Sequence, residues 1–204
     1  MFRRECKRFF TVCLIMVLGL ITSFPGISSN AYALFDDGRW LGTEIRYLPH
    51  EDFGSLSISQ MNEALYTWNA AMGKWYLGRY PDQTHPDDEP LYQPDFENKV
   101  YRVSYGNTGT CGTNLTYSHN YNKNMIYESD ILINMSCTWA NSAQPGKYDF
   151  WSAFLHEAGH TVGIADNKGV PDAVMYYKLD ANTSKRTLHA DDRAALQAIY
   201  GGIS

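Results

Sequence analysis

Apolar positions recur along this chain with two different periods, and the changes from one to the other predict its elements. An almost unbroken apolar run fills Phe9 to Phe24 and gives way to Pro25 and Gly26. Beyond it, 44-EIRYL-48 has the β-branched and aromatic content of a short strand. In 57-SISQMNEALYTWNAAMG-73, Met61, Leu65, Trp68 and Met72 fall at helical spacing, with Ser57 or Ser59 as N-cap and Gly73 as the stop. Prolines and clustered acids over 81–98 predict a long surface loop. Alternation returns in 99-KVYRVSYG-106 and in 125-MIYESDILINM-135, most clearly from Ile131 to Met135. An apolar helix is predicted from Phe150 to Gly163, with Asp149 or Tyr148 near its N-cap and Trp151, Phe154, Leu155 and Val162 available for a core. The last periodic segment, Ala190 to Tyr200, starts with Asp191 and Asp192, where negative charge suits the helix dipole, and stops at Gly201 and Gly202. Strand, helix, strands, helix, irregular segment and helix make an α+β order.

The first 33 residues stand apart from that order. Arg3, Arg4, Lys7 and Arg8 precede the apolar run, and Ala31-Tyr32-Ala33 follows it, which is the arrangement of a secretory signal peptide cleaved after Ala33. A retained membrane anchor is the alternative, but Thr11, Gly19, Thr22 and Ser23 interrupt a run shorter than the ~20 residues of a spanning helix. Residues 34–204 then form one domain, with 44% of the whole 204-residue chain apolar and 19% charged. Removing the leader takes away four of 17 basic and one of 22 acidic residues, leaving 13 against 21 and a formal charge of −8. A nucleic-acid partner is not expected of so acidic a domain. Cys6 and Cys13 leave with the leader, so Cys111 and Cys137 remain as an even pair in an oxidising compartment, where one disulfide is expected. Without CxxC spacing, they do not suggest a thiolate zinc site.

Candidate chemistry concentrates in 156-HEAGHTVGIAD-166. His156 and His160 project from one helix face a turn apart, close enough for a single tetrahedral ion. Glu157, beside them, can reach a metal-bound water as general base and later pass its proton to a leaving amine. Gly163 suits a chain reversal, after which Asp166 can bring a carboxylate back to the metal.

With its full H-E-x-x-H-x-x-G-x-x-D pattern, the chain resembles the metzincins, whose signature is followed by a tight turn carrying a methionine. Here 173-AVMYY-177 resembles that Met-turn, with Met175 in the methionine place and a structural role implied. The segment 188-LHADDRAALQAIYG-201 resembles the closing helix of matrixins, and the likeness extends upstream to Trp40, Trp68 and 130-DILIN-134. Matrixins have histidine where this chain has Asp166, whereas snapalysins are similar to this sequence in using aspartate. The resemblance implies a zincin fold with a twisted mixed β-sheet, two long helices, a Met-turn and a C-terminal helix. It also implies Zn2+ held by His156, His160 and Asp166. Tyr177 takes the place of a matrixin proline; a tyrosine there in astacins and serralysins approaches the metal, so Tyr177 could ligate zinc, hydrogen-bond the oxyanion, or only wall the substrate pocket.

The resulting expectation is a secreted, monomeric zinc endopeptidase acting on protein or peptide, without stable membrane association. The extended substrate would lie along Ile131 to Met135 or the neighbouring sheet edge. With few residues between Ala33 and Trp40 and no cysteine latency motif there, a folded propeptide is not expected. A binding protein that kept the metal but lost catalysis is the rival, and the intact Glu157 argues against it. Calcium, common in matrixins, could use Asp82, Asp87, Asp88, Glu89 and Asp95, although they do not follow an EF-hand pattern. His50, His85, His119 and His189 lack partners at ligand spacing and are expected at the surface or in hydrogen bonds, His189 as a cap. Asn114, Asn134 and Asn182 form sequons, relevant only in a glycosylating host.

Overall fold

The computed structural model describes residues 32–35, 38–73, 76–87, 90, 93–119 and 125–201. Most of the predicted leader therefore lies outside the described residues, as do Asp88, Glu89 and the His119 side chain. In chain order the described elements are β1 (Ala33–Leu34), β2 (Glu44–Pro49), α1 (Ser55–Met72), β3 (Tyr76–Arg79), β4 (Asn98–Val103), β5 (Gly112–His119), β6 (Met125–Asn134), β7 (Trp139–Ala140), β8 (Tyr148–Asp149), α2 (Phe150–Thr161), β9 (Ile164–Ala165) and α3 (Ala190–Tyr200). The central sheet has the order β3-β2-β4-β6-β5, parallel except for antiparallel β5 at one edge. The predicted α+β mixed sheet with two long helices and a C-terminal third is thus the observed architecture. Among the described residues, no helix is long and apolar enough to cross a membrane.

Alternation along the strands decides which face the helices cover. Ile45 and Tyr47 of β2, Val100 of β4, and Ile131 and Ile133 of β6 form one core with Met61, Leu65 and Trp68 of α1 and Phe154, Leu155 and Ala158 of α2. The Trp68 indole also donates to the Leu155 carbonyl at 2.8 Å, which fixes α1 against α2 with its buried N–H satisfied. On the other face, Tyr101, Val103 and Leu132 make a small second cluster. Beside it, Lys99 Nζ meets Asp95 at 2.6 Å, Glu97 at 3.1 Å and Asp87 at 3.5 Å. Two of the acids considered for calcium therefore surround a lysine.

Several boundaries and one strand assignment differ from expectation. Helix α1 starts at Ser55 behind Gly54, with no side-chain cap, so neither Ser57 nor Ser59 is its N-cap; buried Phe53 anchors the chain immediately before that start. Helix α2 ends at Thr161, two residues before the predicted stop. Strands β3 and β5 appear where no strand was expected. Strand β6 is interior, hydrogen-bonded to β4 on one side and β5 on the other, so Ile131 to Met135 is not a free edge; its neighbour β5 is. His50 and His85 take the hydrogen-bonded rather than the surface alternative: they are buried in ring contact at 5.5 Å, with Asp52 N donating to His50 Nδ1 and Asp87 N to His85 Nδ1, and His189 caps α3 in a capping box with Asp192. Cys111 and Cys137 form the expected disulfide.

The long return from β9 to α3 is tied to the start of α2 by a buried carboxylate. Asp149 is fully buried and accepts from Arg186 Nε at 2.8 Å, Arg186 Nη2 at 2.6 Å, Ser152 Oγ at 2.6 Å and Ser184 Oγ at 2.9 Å. Burial alone would raise its pKa, but these donors hold it below the ordinary aspartate value. Replacing Arg186 with leucine leaves that charge buried and unpaired, so the Arg186→Leu variant should lose about 3 kcal/mol of stability. A depressed carboxylate contributes stability that is present above its unfolded pKa and lost as pH falls through the folded one. Urea melts of parent and variant should thus differ most at neutral pH and converge as the medium is acidified below the aspartate range; a difference unchanged by acid would contradict the pairing.

Candidate metal centre

His156 and His160 share the inner face of α2, their rings nearly perpendicular with centroids 4.7 Å apart. Each imidazole is oriented through its other nitrogen: His156 Nδ1 pairs with the Val174 carbonyl and His160 Nδ1 with the Ile164 carbonyl, both at 2.8 Å. A carbonyl only accepts, so each Nδ1 carries a proton, and Nε2 is the nitrogen that faces Asp166 and can ligate an ion once it has no proton of its own.

The reversal that brings Asp166 opposite these rings depends on Gly163. Its φ is +95°, and a Cβ there would stand 2.3 Å from the Gly38 carbonyl oxygen, so conformation and space both require glycine. The last carbonyls of α2 have no helical partners and are satisfied by side chains: Trp40 Nε1 donates to Thr161 O at 2.7 Å and Tyr200 OH to Val162 O at 3.0 Å. Two residues of β9 then lead to Asp166. Its Oδ1 is buried, lies 3.2 Å from His156 Nε2 and 3.5 Å from His160 Nε2, and makes no well-formed hydrogen bond to either.

Among the described residues, these three side chains are the one His/Cys/Asp/Glu group able to hold a metal ion, with their ligand atoms within 4.8 Å of one another. The electrostatics agree. Burial disfavours charge on His156, yet the Asp166 and Glu157 carboxylates overcome it and lift the imidazole to about 9. Burial and the neighbouring His156 push His160 down to about 4. For Asp166, the histidines outweigh burial and hold the carboxyl low. A site that gathers positive charge between two imidazoles and a carboxylate fits a divalent cation with nitrogen and oxygen ligands.

Glu157 lies beside this group, buried, and burial raises it to about 7, with Asp166 adding to the rise and His156 opposing it. Its carboxylate rests on Gly112 of β5, where a Cβ would come within 2.5 Å of Oε1. The Asn114 amide of the same strand donates to Glu157 O at 3.1 Å, Thr161 Oγ1 at 3.0 Å and Ser129 Oγ at 3.0 Å, and Tyr47 OH also bonds Thr161 Oγ1. Gly112 and Asn114 went unnoticed in the sequence, although Asn114 stood in a sequon. The available signal was the polar pair Asn114 and Thr116 alternating with Leu115 and Tyr117, which marks a strand with a polar inner face.

Beneath the histidines, the 173–177 turn is fixed by Asp192 of α3, which accepts from Val174 N and Met175 N, each at 3.0 Å. Met175 is buried, and a Cβ on Gly159, between the two histidines, would come within 2.1 Å of its sulfur and 2.7 Å of Trp68. Tyr177 is 49% exposed, and its ring packs on Tyr176 at 4.8 Å with Lys168 Nζ 5.9 Å away. It is thus a surface side chain beside Tyr176 and Lys168.

The matrixin family profile matches residues 95–201, just over half of the chain, including α2, its reversal, the methionine turn and α3. This chain belongs to the matrixins. Human neutrophil collagenase is 29% identical to this matrixin over 111 residues, covering 53% of the chain and 23% of the collagenase. Matrix metalloproteinase-2 of Drosophila melanogaster is 40% identical over 53 residues, 26% of the chain and 7% of that protein. The chain thus matches less than a quarter of either relative's length. Membership supports a zinc-dependent metallopeptidase.

Because Asn114 joins the edge strand of this matrixin to α2, removing its amide strands several buried partners. The Asn114→Leu variant should lose about 1–3 kcal/mol. At this chain length that lowers the melting temperature by about 2–4 °C per kcal/mol, readable by calorimetry. An unshifted melt would show that the network is dispensable.

Proposed function

We propose that this matrixin is an exported zinc endopeptidase in which His156, His160 and Asp166 hold the ion and Glu157 is the general base. The observation that carries the reading is Asp166 Oδ1, buried without a hydrogen-bond partner and directed at both imidazole Nε2 atoms. Bound zinc supplies Lewis acidity and makes a coordinated water acidic near neutral pH. Glu157, buried beside that position, takes up the proton and returns it to the departing amine, and contact with Gly112 confines its carboxylate to one side. Tyr177, a surface side chain, is assigned a hydrogen bond to the substrate rather than a place among the ligands. An extended peptide adds to the exposed edge of β5, which brings main-chain carbonyls past Glu157. Export follows from the leader read in residues 1–33, with Leu34 as the first residue of the processed chain.

Two variants separate binding from chemistry. Glu157→Gln should keep stoichiometric zinc and lose at least about 10²–10⁴-fold in hydrolysis of a casein or peptide substrate. Asp166→Ala should lose zinc by elemental analysis after dialysis, and with it activity. Near-parent turnover in Glu157→Gln removes the glutamate from the mechanism. Tight zinc binding by Asp166→Ala removes the aspartate from the ligand set.

A further inference from the structure

We propose that Leu34 and Phe35 form a positioning strap for the metal centre, presetting the His160 imidazole and the Asp166 carboxylate by pairing along the turn that follows α2. This inference rests on the reading of His160 and Asp166 as ligands. Strand β9, which delivers Asp166, is two residues long and has β1 as its strand partner, with Ala33 opposite Ala165 and Leu34 opposite Ile164. The pairing continues as Phe35 N donates to Gly163 O at 3.1 Å. Further along, Gly38 O lies against the Gly163 Cα and the Trp40 indole reaches Thr161 O. The described residues of this segment therefore follow the reversal backwards, meeting it at Ala165, Ile164, Gly163 and Thr161.

Two of these contacts act on the ligands themselves. Ile164, the residue facing Leu34, supplies the carbonyl that binds His160 Nδ1 and so directs Nε2 inward. The Phe35 ring lies on the His160 ring, centroids 5.5 Å apart and planes inclined at 50°. A two-residue strand cannot hold its own geometry, and a carboxylate on the residue directly after it would otherwise sample many positions at an entropic cost to metal binding. The strap removes that freedom in advance, as outer-shell partners do for metal ligands generally.

The test uses the processed chain beginning at Leu34, with Phe35→Ala, Phe35→Pro and Phe35→Tyr. Zinc affinity is measured by competition with a chelating dye, alongside the melting of each metal-free protein and the visible absorption of each cobalt-substituted one. Phe35→Ala, which removes the ring and keeps the N–H, should bind zinc about tenfold more weakly. Phe35→Pro, which also removes the N–H to Gly163 O, should bind more weakly still, and Phe35→Tyr should restore parental affinity. The cobalt bands of the alanine variant should shift while its metal-free melt stays near the parent's. Parental zinc affinity in both the alanine and proline variants overturns the strap, as does weakening that tracks unfolding of the metal-free protein. A parent chain that binds no zinc overturns the ligand assignment instead, and the two failures are distinguishable.

Discussion

One constraint organises the rest: α2 has to end immediately after His160, and the chain has to return to face it within a few residues. Glycine at 163 is the only residue that satisfies both the positive φ and the approach of the Gly38 carbonyl. Ending a helix inside a protein exposes carbonyls that water would otherwise satisfy. Here they are bonded by Trp40 from the N-terminal segment and Tyr200 from α3. Elements far apart in sequence thus meet at the stop of α2, and the orientation of His160 is a consequence of how that stop is built.

The same logic governs the buried charges, each of which is held by neighbours from more than one element. Asp149 is closed by Arg186 and two serines, and Asp192 by backbone donors from the methionine turn and its own helix start. On the far face of the sheet, burial raises Glu128 to about 7 and Asp130 to about 8, while Lys99 gathers nearby carboxylates from the 81–98 segment. The acids of that segment supply counter-charge to a buried lysine. Two carboxylate oxygens among the described residues are buried without a hydrogen-bond partner, Glu128 Oε1 on the far face and Asp166 Oδ1, and the second stands between two imidazoles, where the proposed chemistry lies.

How much of this was legible in the sequence depended on whether a residue's role was local. His156 and His160 stand one helical turn apart, and the apolar spacing of α1 and α2 reports their buried faces directly. Gly163 could be assigned because a reversal leaves a local trace. Strand β5 was missed because its inner face is the polar one: Asn114 and Thr116 bond to Ser129, and Asn114 also to the carbonyl end of α2, so the alternation with Leu115 and Tyr117 marks no apolar face toward the core. Strand β3 is short, and β1 and β9 are each two residues long, too brief for any periodic signal. Asn114 and Asn134 matched a glycosylation pattern, yet the Asn134 amide donates to Gly106 O and Thr110 O inside the fold, a role visible only once the β4 to β5 connection is in place. The start of α1 shifted because Gly54 follows buried Phe53, a tertiary anchor that no cap residue announces.

The two edges of the sheet complete the argument for where an extended chain would bind. At β3, the Asn69 side chain donates to Leu77 O at 2.7 Å and accepts from Leu77 N at 2.6 Å, so a residue of α1 takes the place of a neighbouring strand and closes that edge. At β5, among the described residues, β6 is the one strand partner, which leaves the opposite side of β5 for a further strand. The closed edge is the one beside α1, and the open edge begins at Gly112, against the Glu157 carboxylate. Anchoring of β5 by the Cys111–Cys137 disulfide at its start and by Asn114 along its inner face keeps that edge from drifting relative to α2. Strand pairing at β5 and the proton transfer proposed for Glu157 would therefore share one rigid frame, and an extended peptide paired with β5 would take its register from the strand that touches that carboxylate.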